Sequence, residues 1–250
     1  DDIALAEFTQ RGIELLDNPA GFFMMVEGGK IDWTCHGNDA GTMVREVIAF
    51  DEAVAVALDW YRSHPDETLI VVTGDHETGG LSLGNVSNKT KDMSVEKLGS
   101  QRVSAEEFNK RLALLKERFE GSPSLEDILV LIRDCFGVDP LPDSAAAKRI
   151  EAAYEASVGK TGDGDTSGTS YGGQEPLTIT LQRILADEAG ISYTTFDHSA
   201  TPVPVLAQGV GQEKFDGYYE NTDIARKLME LIGMAPQALP EEEAVEALAN

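Results

Sequence analysis

The chain has 250 residues, 42% of them hydrophobic, with 44 acidic against 20 basic side chains and a formal net charge of −24. That length buries a sizeable core, as one large domain or two small ones, and that charge argues against a nucleic-acid backbone as partner. No apolar run approaches the length that spans a bilayer, no basic-then-apolar leader opens the sequence, and Cys35 and Cys135 are too few for a disulfide framework.

Leu5, Phe8, Leu15 and Leu16 fall on one face of a helix predicted within residues 1–18, with Gly12 among them, Ile13 at the edge, and Asn18-Pro19-Ala20-Gly21 as the stop. Residues 22–26 are a continuous apolar run, which predicts a strand covered on both faces with Glu27 at its C-terminal end. A second helix fits about residues 40–62, with Val44, Val47, Ile48, Val54, Leu58 and Tyr61 on its inward stripe. Residues 68–73 are the clearest strand, and Asp75 and His76 follow it directly. From Met93 to about Val158 the pattern is helical, over residues 105–119, 124–135 and 143–158. The glycine-rich run 161–173 predicts a mobile loop. Residues 176–189 return to helix, short strands at 192–196 and 203–207 flank His198, and 221–232 is helical. After Pro236 an acidic, alanine-rich tail reads as a short helix or a frayed end.

Apolar strands alternating with long amphipathic helices predict a mostly parallel α/β sheet, with sites beyond the carboxyl ends of the strands. The expected organisation is an α/β half-domain over residues 1–92, a helical insertion with the glycine-rich loop over 93–175, and a return to the α/β body over 176–250.

Three of the four histidines stand beside acidic residues, in Glu27-Gly-Gly-Lys-Ile-Asp32-Trp-Thr-Cys-His36, in Gly74-Asp75-His76-Glu77-Thr78-Gly79-Gly80, and in Asp197-His198. Carboxylate and imidazole at these spacings are the ligand set of divalent cations, zinc favouring mixed nitrogen and oxygen, magnesium favouring oxygen. Asp32 and His36 share one face if their segment is helical, although Gly28 and Gly29 make a loop equally plausible. Adjacent Asp75 and His76 converge on one ion only in an irregular backbone, which Gly74, Gly79 and Gly80 allow. The residues therefore read as a multi-metal hydrolytic site.

The run from Phe22 to Gly84 resembles the alkaline phosphatase family. The likeness lies in the Glu-Gly-Gly-Lys-Ile-Asp block with His36 after it, in a helix and strand of the expected lengths, and in Thr73-Gly-Asp-His-Glu-Thr-Gly-Gly80. It resumes at His198 with Thr201-Pro-Val-Pro-Val-Leu-Ala-Gln-Gly209. The resemblance implies an α/β fold, a three-layer αβα sandwich of which this chain holds a partial sheet and a helical insertion. It implies phosphate monoester hydrolysis through a phosphoserine, with two zinc ions and one magnesium ion as cofactors. Asp32, His36 and His198 would hold the first zinc, Asp75 and His76 would contribute to the second, and Glu27 would be a magnesium ligand. In the family the serine nucleophile, the phosphate-binding arginine, a bridging aspartate and further magnesium ligands lie upstream of the Glu-Gly-Gly block. The chain thus looks like the C-terminal half of such an enzyme, with no catalytic nucleophile and no activity alone. The resemblance also implies a periplasmic or secreted parent and a homodimer, while the charge and the lack of a long apolar run leave neither nucleic-acid nor membrane partners expected.

Other features have plainer readings. Cys35 adjoins His36 and can be mistaken for a zinc ligand, but the resemblance supplies Asp32, His36 and His198 instead. Asp143-Ser144-Ala145 mimics the family nucleophile's context, yet it follows the metal motifs and reads as a helix cap. Asp163, Asp165, Ser167 and Gly168 fit the first half of a calcium loop, whose twelfth position would be Gln174 rather than glutamate. His64 reads as a surface loop residue, and Asn85 and Asn88 open glycosylation sequons. The rival functions are another metal-dependent member of the same superfamily (a phosphodiesterase, a sulfatase-like enzyme or a phosphoglycerate mutase) and a non-catalytic metal-binding module.

Overall fold

The computed structural model describes residues 3–84, 93–159 and 174–234. The chain divides into two compact units, Asp1–Val56 with His76–Pro202, and Ala57–Asp75 with Val203–Asn250.

In the first unit, α1 is Leu5–Leu16, α2 is Lys30–His36, and α3 begins at Ala40 and runs to Ser63, its last turns lying in the second unit. Two short strands follow, β2 (Glu77–Thr78) and β3 (Ser82–Leu83), and then a 3-10 turn over Val95–Ser100. The helices α4 (Ala105–Arg118), α5 (Leu125–Phe136), α6 (Ala145–Ser157) and α7 (Pro176–Ala189) come next, with β4 (Ile191–Ser192) and β5 (His198–Ser199) closing the unit. The pairs β2 with β5 and β3 with β4 are antiparallel, and the first sets Thr78 opposite His198.

Local chemistry explains the helical insertion. Ser104, Ser124 and Ser144 each accept from the backbone N–H three residues on, starting α4, α5 and α6. At α5 the Asp127 carboxylate reaches back to the Ser124 N–H and completes a capping box. Pro176 stands in the first turn of α7, where a missing N–H costs nothing, and Glu175 caps it. Phe108, Leu112, Ile128, Ile132, Phe136, Ile150 and Leu181 bury completely or nearly so between these helices, and the Phe108 and Phe136 rings meet edge-on at 5.0 Å. Most of α7 is buried all round, as befits a central helix.

The second unit is built on β1 (Leu69–Thr73), antiparallel to β6 (Val205–Gly209), with Leu69 opposite Gly209 and Thr73 opposite Val205. A 3-10 turn over Gln212–Phe215 buries Phe215, and α8 (Asn221–Leu231) is pinned to it by the ion pair of Lys214 with Glu230 at 2.7 Å.

Several expectations need correction. Among the described residues every strand pair is antiparallel and two-stranded, so the mostly parallel sheet is not seen. The strand expected at 22–26 is not formed, and the segment has no regular secondary structure, because a strand exists only where a neighbour takes its N–H and C=O groups. Phe23 and Met25 are exposed, while Met24 turns inward against Gly12 of α1. In α1 the buried residues are Thr9 and Ile13, whereas Phe8, Leu15 and Leu16 are exposed. In α3 the buried residues are Ala40, Gly41, Thr42 and Ala53, and Val44, Val47 and Ile48 face outward. The strand expected at 192–196 resolves into β4 and β5 on either side of a turn. Cys35 and Cys135 are both free thiols. The glycine-rich loop, its calcium-like half, both sequons and the acidic tail lie outside the described residues.

Candidate metal centre

Three segments of the first unit converge. The segment open between helix and loop is a helix, α2, so Asp32 and His36 stand on one face, with His36 Nε2 3.4 Å from Asp32 Oδ1. The strand β2 brings Thr78, and β5, paired with it, brings His198 opposite. The His76 and His198 rings stack with centroids 3.5 Å apart, and His36 tilts against His198 at 5.1 Å. One ligand atom from each of Asp32, His76 and His198 lies within 4.8 Å of the others.

Hydrogen bonds orient these groups. His36 Nδ1 lies 2.5 Å from the Phe196 carbonyl, an acceptor only, so Nδ1 carries a proton and Nε2 is the ring atom that faces Asp32. Thr78 Oγ1 donates to Asp32 Oδ1 at 2.7 Å, which leaves its oxygen to accept from His76 Nδ1 at 3.1 Å. His76 then presents Nε2 to the shared space. Partners of this kind on the far side of imidazole and carboxylate ligands fix tautomer and ring orientation.

The turn after β2 makes the convergence possible. Gly79 has φ +88, and a Cβ there would sit 3.0 Å from both the Cys35 carbonyl and the Tyr193 ring. Gly80, at φ +58, would clash with Thr194. Glycine alone fits both the backbone conformation and the close approach. Gly79 also accepts from the Thr194 and Thr195 N–H groups and donates to the Asp197 carbonyl at 3.0 Å, lacing β2 to the chain leading into His198.

The six residues singled out from the sequence divide as follows. Asp32, His36, His76 and His198 come together, and by distance His76 rather than His36 completes the tightest triad with Asp32 and His198. Glu27 is exposed, with its carboxylate folded against Gly29 beside a shallow groove lined by Leu5, Phe8 and Met25. Asp75 ends the first segment of the second unit, one residue beyond Gly74 after β1. Burial first, then the Glu77, Asp32 and Asp39 carboxylates, pushes the Cys35 thiol up to about 11. Ser144 Oγ is spent on the Ala147 N–H at 3.1 Å as the cap of α6. His64 stacks on Trp60 at 3.9 Å between centroids.

Sequence reasoning passed over Thr78. The signal was its place two residues after His76, within the segment that carries the acid and imidazole motif. It also passed over Gln182, whose amide lies near Gly37 at the end of α2, and Tyr193, whose ring lies beside Gly79; the Gln182 Nε2 and the Tyr193 hydroxyl are buried without a hydrogen-bond partner among the described residues.

A short helix, a two-residue strand pair and a glycine turn thus bring a carboxylate and three imidazoles together, which defines a candidate divalent-metal centre on an α/β frame. The alkaline phosphatase family model matches residues 1–234. Alkaline phosphatase 4 of Bacillus subtilis is 30% identical over 230 residues, which cover 92% of this chain and 43% of that protein. The crystal structure of Thermus thermophilus alkaline phosphatase superposes with a TM-score of 0.74 at 28% identity, covering 99% of this chain and 51% of that one. The cold-active enzyme from Shewanella sp. gives 0.71 at 28% identity, over 93% and 50%. The chain therefore belongs to the alkaline phosphatase family and has its α/β fold, and it spans about half the length of the relatives it matches.

Proposed function

We propose that the cluster is a divalent-metal centre and that this chain carries the metal-binding portion of a phosphate monoesterase. The observation that carries the reading is the approach of Asp32, His76 and His198 ligand atoms to within 4.8 Å, in a chain of this family. The donor set fits the ions: mixed imidazole and carboxylate suit zinc, and both His36 and His76 hold their Nδ1 protons away from the shared space. Asp32, His36, His76 and His198 are the zinc ligands of this unit, Asp75 a further ligand of the second zinc, and Glu27 a magnesium ligand in the complete enzyme. Bound divalent ions supply the positive charge that attracts a phosphate group and stabilises attacking and leaving oxygens. The chain's own residues orient that charge: Thr78 locks Asp32 to His76, and Phe196 O locks His36.

The nucleophile is proposed to be a serine outside this chain, in an exported, homodimeric parent that acts through a phosphoserine. Ser144, the mimic, is bound to a helix N-terminus. Two measurements test the reading. Zinc titration of the chain should show a site lost in His198→Ala and in Asp32→Asn, and unchanged binding in both would overturn the metal centre. With zinc and magnesium added, the chain should not hydrolyse p-nitrophenyl phosphate. Hydrolysis that disappears in Ser144→Ala would overturn the placement of the nucleophile.

A further inference from the structure

The end of α2 is a Schellman turn with asparagine where glycine is usual. The Asp39 N–H returns to Thr34 O at 2.8 Å, the Asn38 N–H returns to Cys35 O at 2.9 Å, and Asn38 itself sits at φ 53. Asparagine tolerates this left-handed conformation better than most residues, but glycine tolerates it best. Capping alone does not explain the choice.

The side chain does. Asn38 is 6% exposed, and its Nδ2 donates both to Cys35 O at 3.1 Å and to Thr195 O at 2.9 Å. The first carbonyl belongs to α2, which carries Asp32 and His36. The second lies three residues before His198. One amide therefore ties the two sides of the cluster together across 157 positions of sequence. Next to it the buried Asp39 carboxylate accepts from Thr42 N at 3.1 Å, Gln101 Nε2 at 2.7 Å and Ala105 N at 2.9 Å, so the anchor point is fixed to the starts of α3 and α4.

We infer that Asn38 is a positioning residue: its amide sets the spacing between the Asp32 and His36 helix and the His198 strand, and thereby the geometry in which the cluster meets a metal ion. The inference rests on the metal reading above. It predicts that the side chain matters to the cluster more than to the helix end.

Asn38→Gly separates the two roles, because it keeps or improves the turn and removes only the bridge. Asn38→Asp keeps size and backbone conformation but turns a donor into an acceptor facing two carbonyl oxygens. Three quantities are measured on the 250-residue chain: zinc affinity by competition with a chelating dye, melting of the metal-free protein, and the His36 and His198 ring signals by NMR without metal. Tyr154→Phe, which removes a bond to Pro123 O inside the helical insertion, serves as a control for general loosening. Zinc affinity should fall about tenfold or more in both Asn38 variants, the usual loss on removing outer-shell support. Both ring signals should shift, Asn38→Gly should melt close to the parent, and Tyr154→Phe should bind zinc normally. Parental zinc affinity in Asn38→Gly, or an equal loss in Tyr154→Phe, would overturn the inference while the metal reading stood. Parental zinc binding in His198→Ala would overturn the metal reading itself, and the inference with it.

Discussion

At the residue scale the most telling side chain is one without charge. Thr78 is buried between Asp32 and His76, giving its proton to the first and accepting from the second. Thr78→Val keeps the shape and suits a strand, but it leaves His76 Nδ1 and Asp32 Oδ1 without that partner. The expected outcome is a loss of zinc affinity of about tenfold or more with melting little changed, measured by calorimetric titration beside a thermal scan. Parental affinity would show that His76 does not depend on Thr78 for its orientation. The clustering of Asp32, His36, His76 and His198 was legible in the sequence because acid and imidazole at short spacing have few other uses. Thr78 and Asn38 were not, since a hydroxyl or an amide declares its role only when a distant segment presents its partner, as the strand pairing brings His198 opposite Thr78 and the fold brings Thr195 O to Asn38.

Elements were legible in proportion to how local their causes are. The helix over Pro176–Ala189 carries its own punctuation, proline in the first turn and Gly190 in the left-handed conformation after the last, and it stands where the sequence placed it. The short pair of β2 with β5 has no periodicity to read, because two residues form a strand only through what lies beside them. Hydrophobic stripes misled where the described residues cover them only in part, as with Val44, Val47 and Ile48 of α3. This contrast between elements is measurable. Phe108 on α4 is fully buried and Phe23 is 64% exposed. Phe108→Ala should destabilise the protein by about 3–5 kcal/mol, through lost burial and a residual cavity, while Phe23→Ala should stay within about 0.5 kcal/mol as a surface change. Chemical denaturation of both variants checks this, and comparable losses would mean that the core extends to the segment before Glu27.

On the scale of the whole molecule, packing is unevenly distributed. The helical insertion has a closed core, whereas α1, the segment 22–26 and the first turns of α3 present Phe8, Leu15, Phe23, Met25, Val44, Val47 and Ile48 to solvent. Single exposed apolar residues are ordinary, but seven large ones on three elements of one unit offer apolar area for contact between copies. The net charge of −24 opposes association between copies over long range. Salt screens that repulsion to about 10 Å at 0.1 M and leaves apolar contact intact. The 250-residue chain should therefore self-associate, and more strongly as salt is added. Sedimentation velocity at low and high salt measures this, with Phe23→Ser and Met25→Ser combined expected to weaken it and a substitution on the exposed face of the insertion, Glu126→Ser, expected not to. A sharp monomer at both salt concentrations would mean that the exposed side chains are too dispersed to act together, and association that weakens with salt would mean that ion pairs rather than apolar contact join the copies.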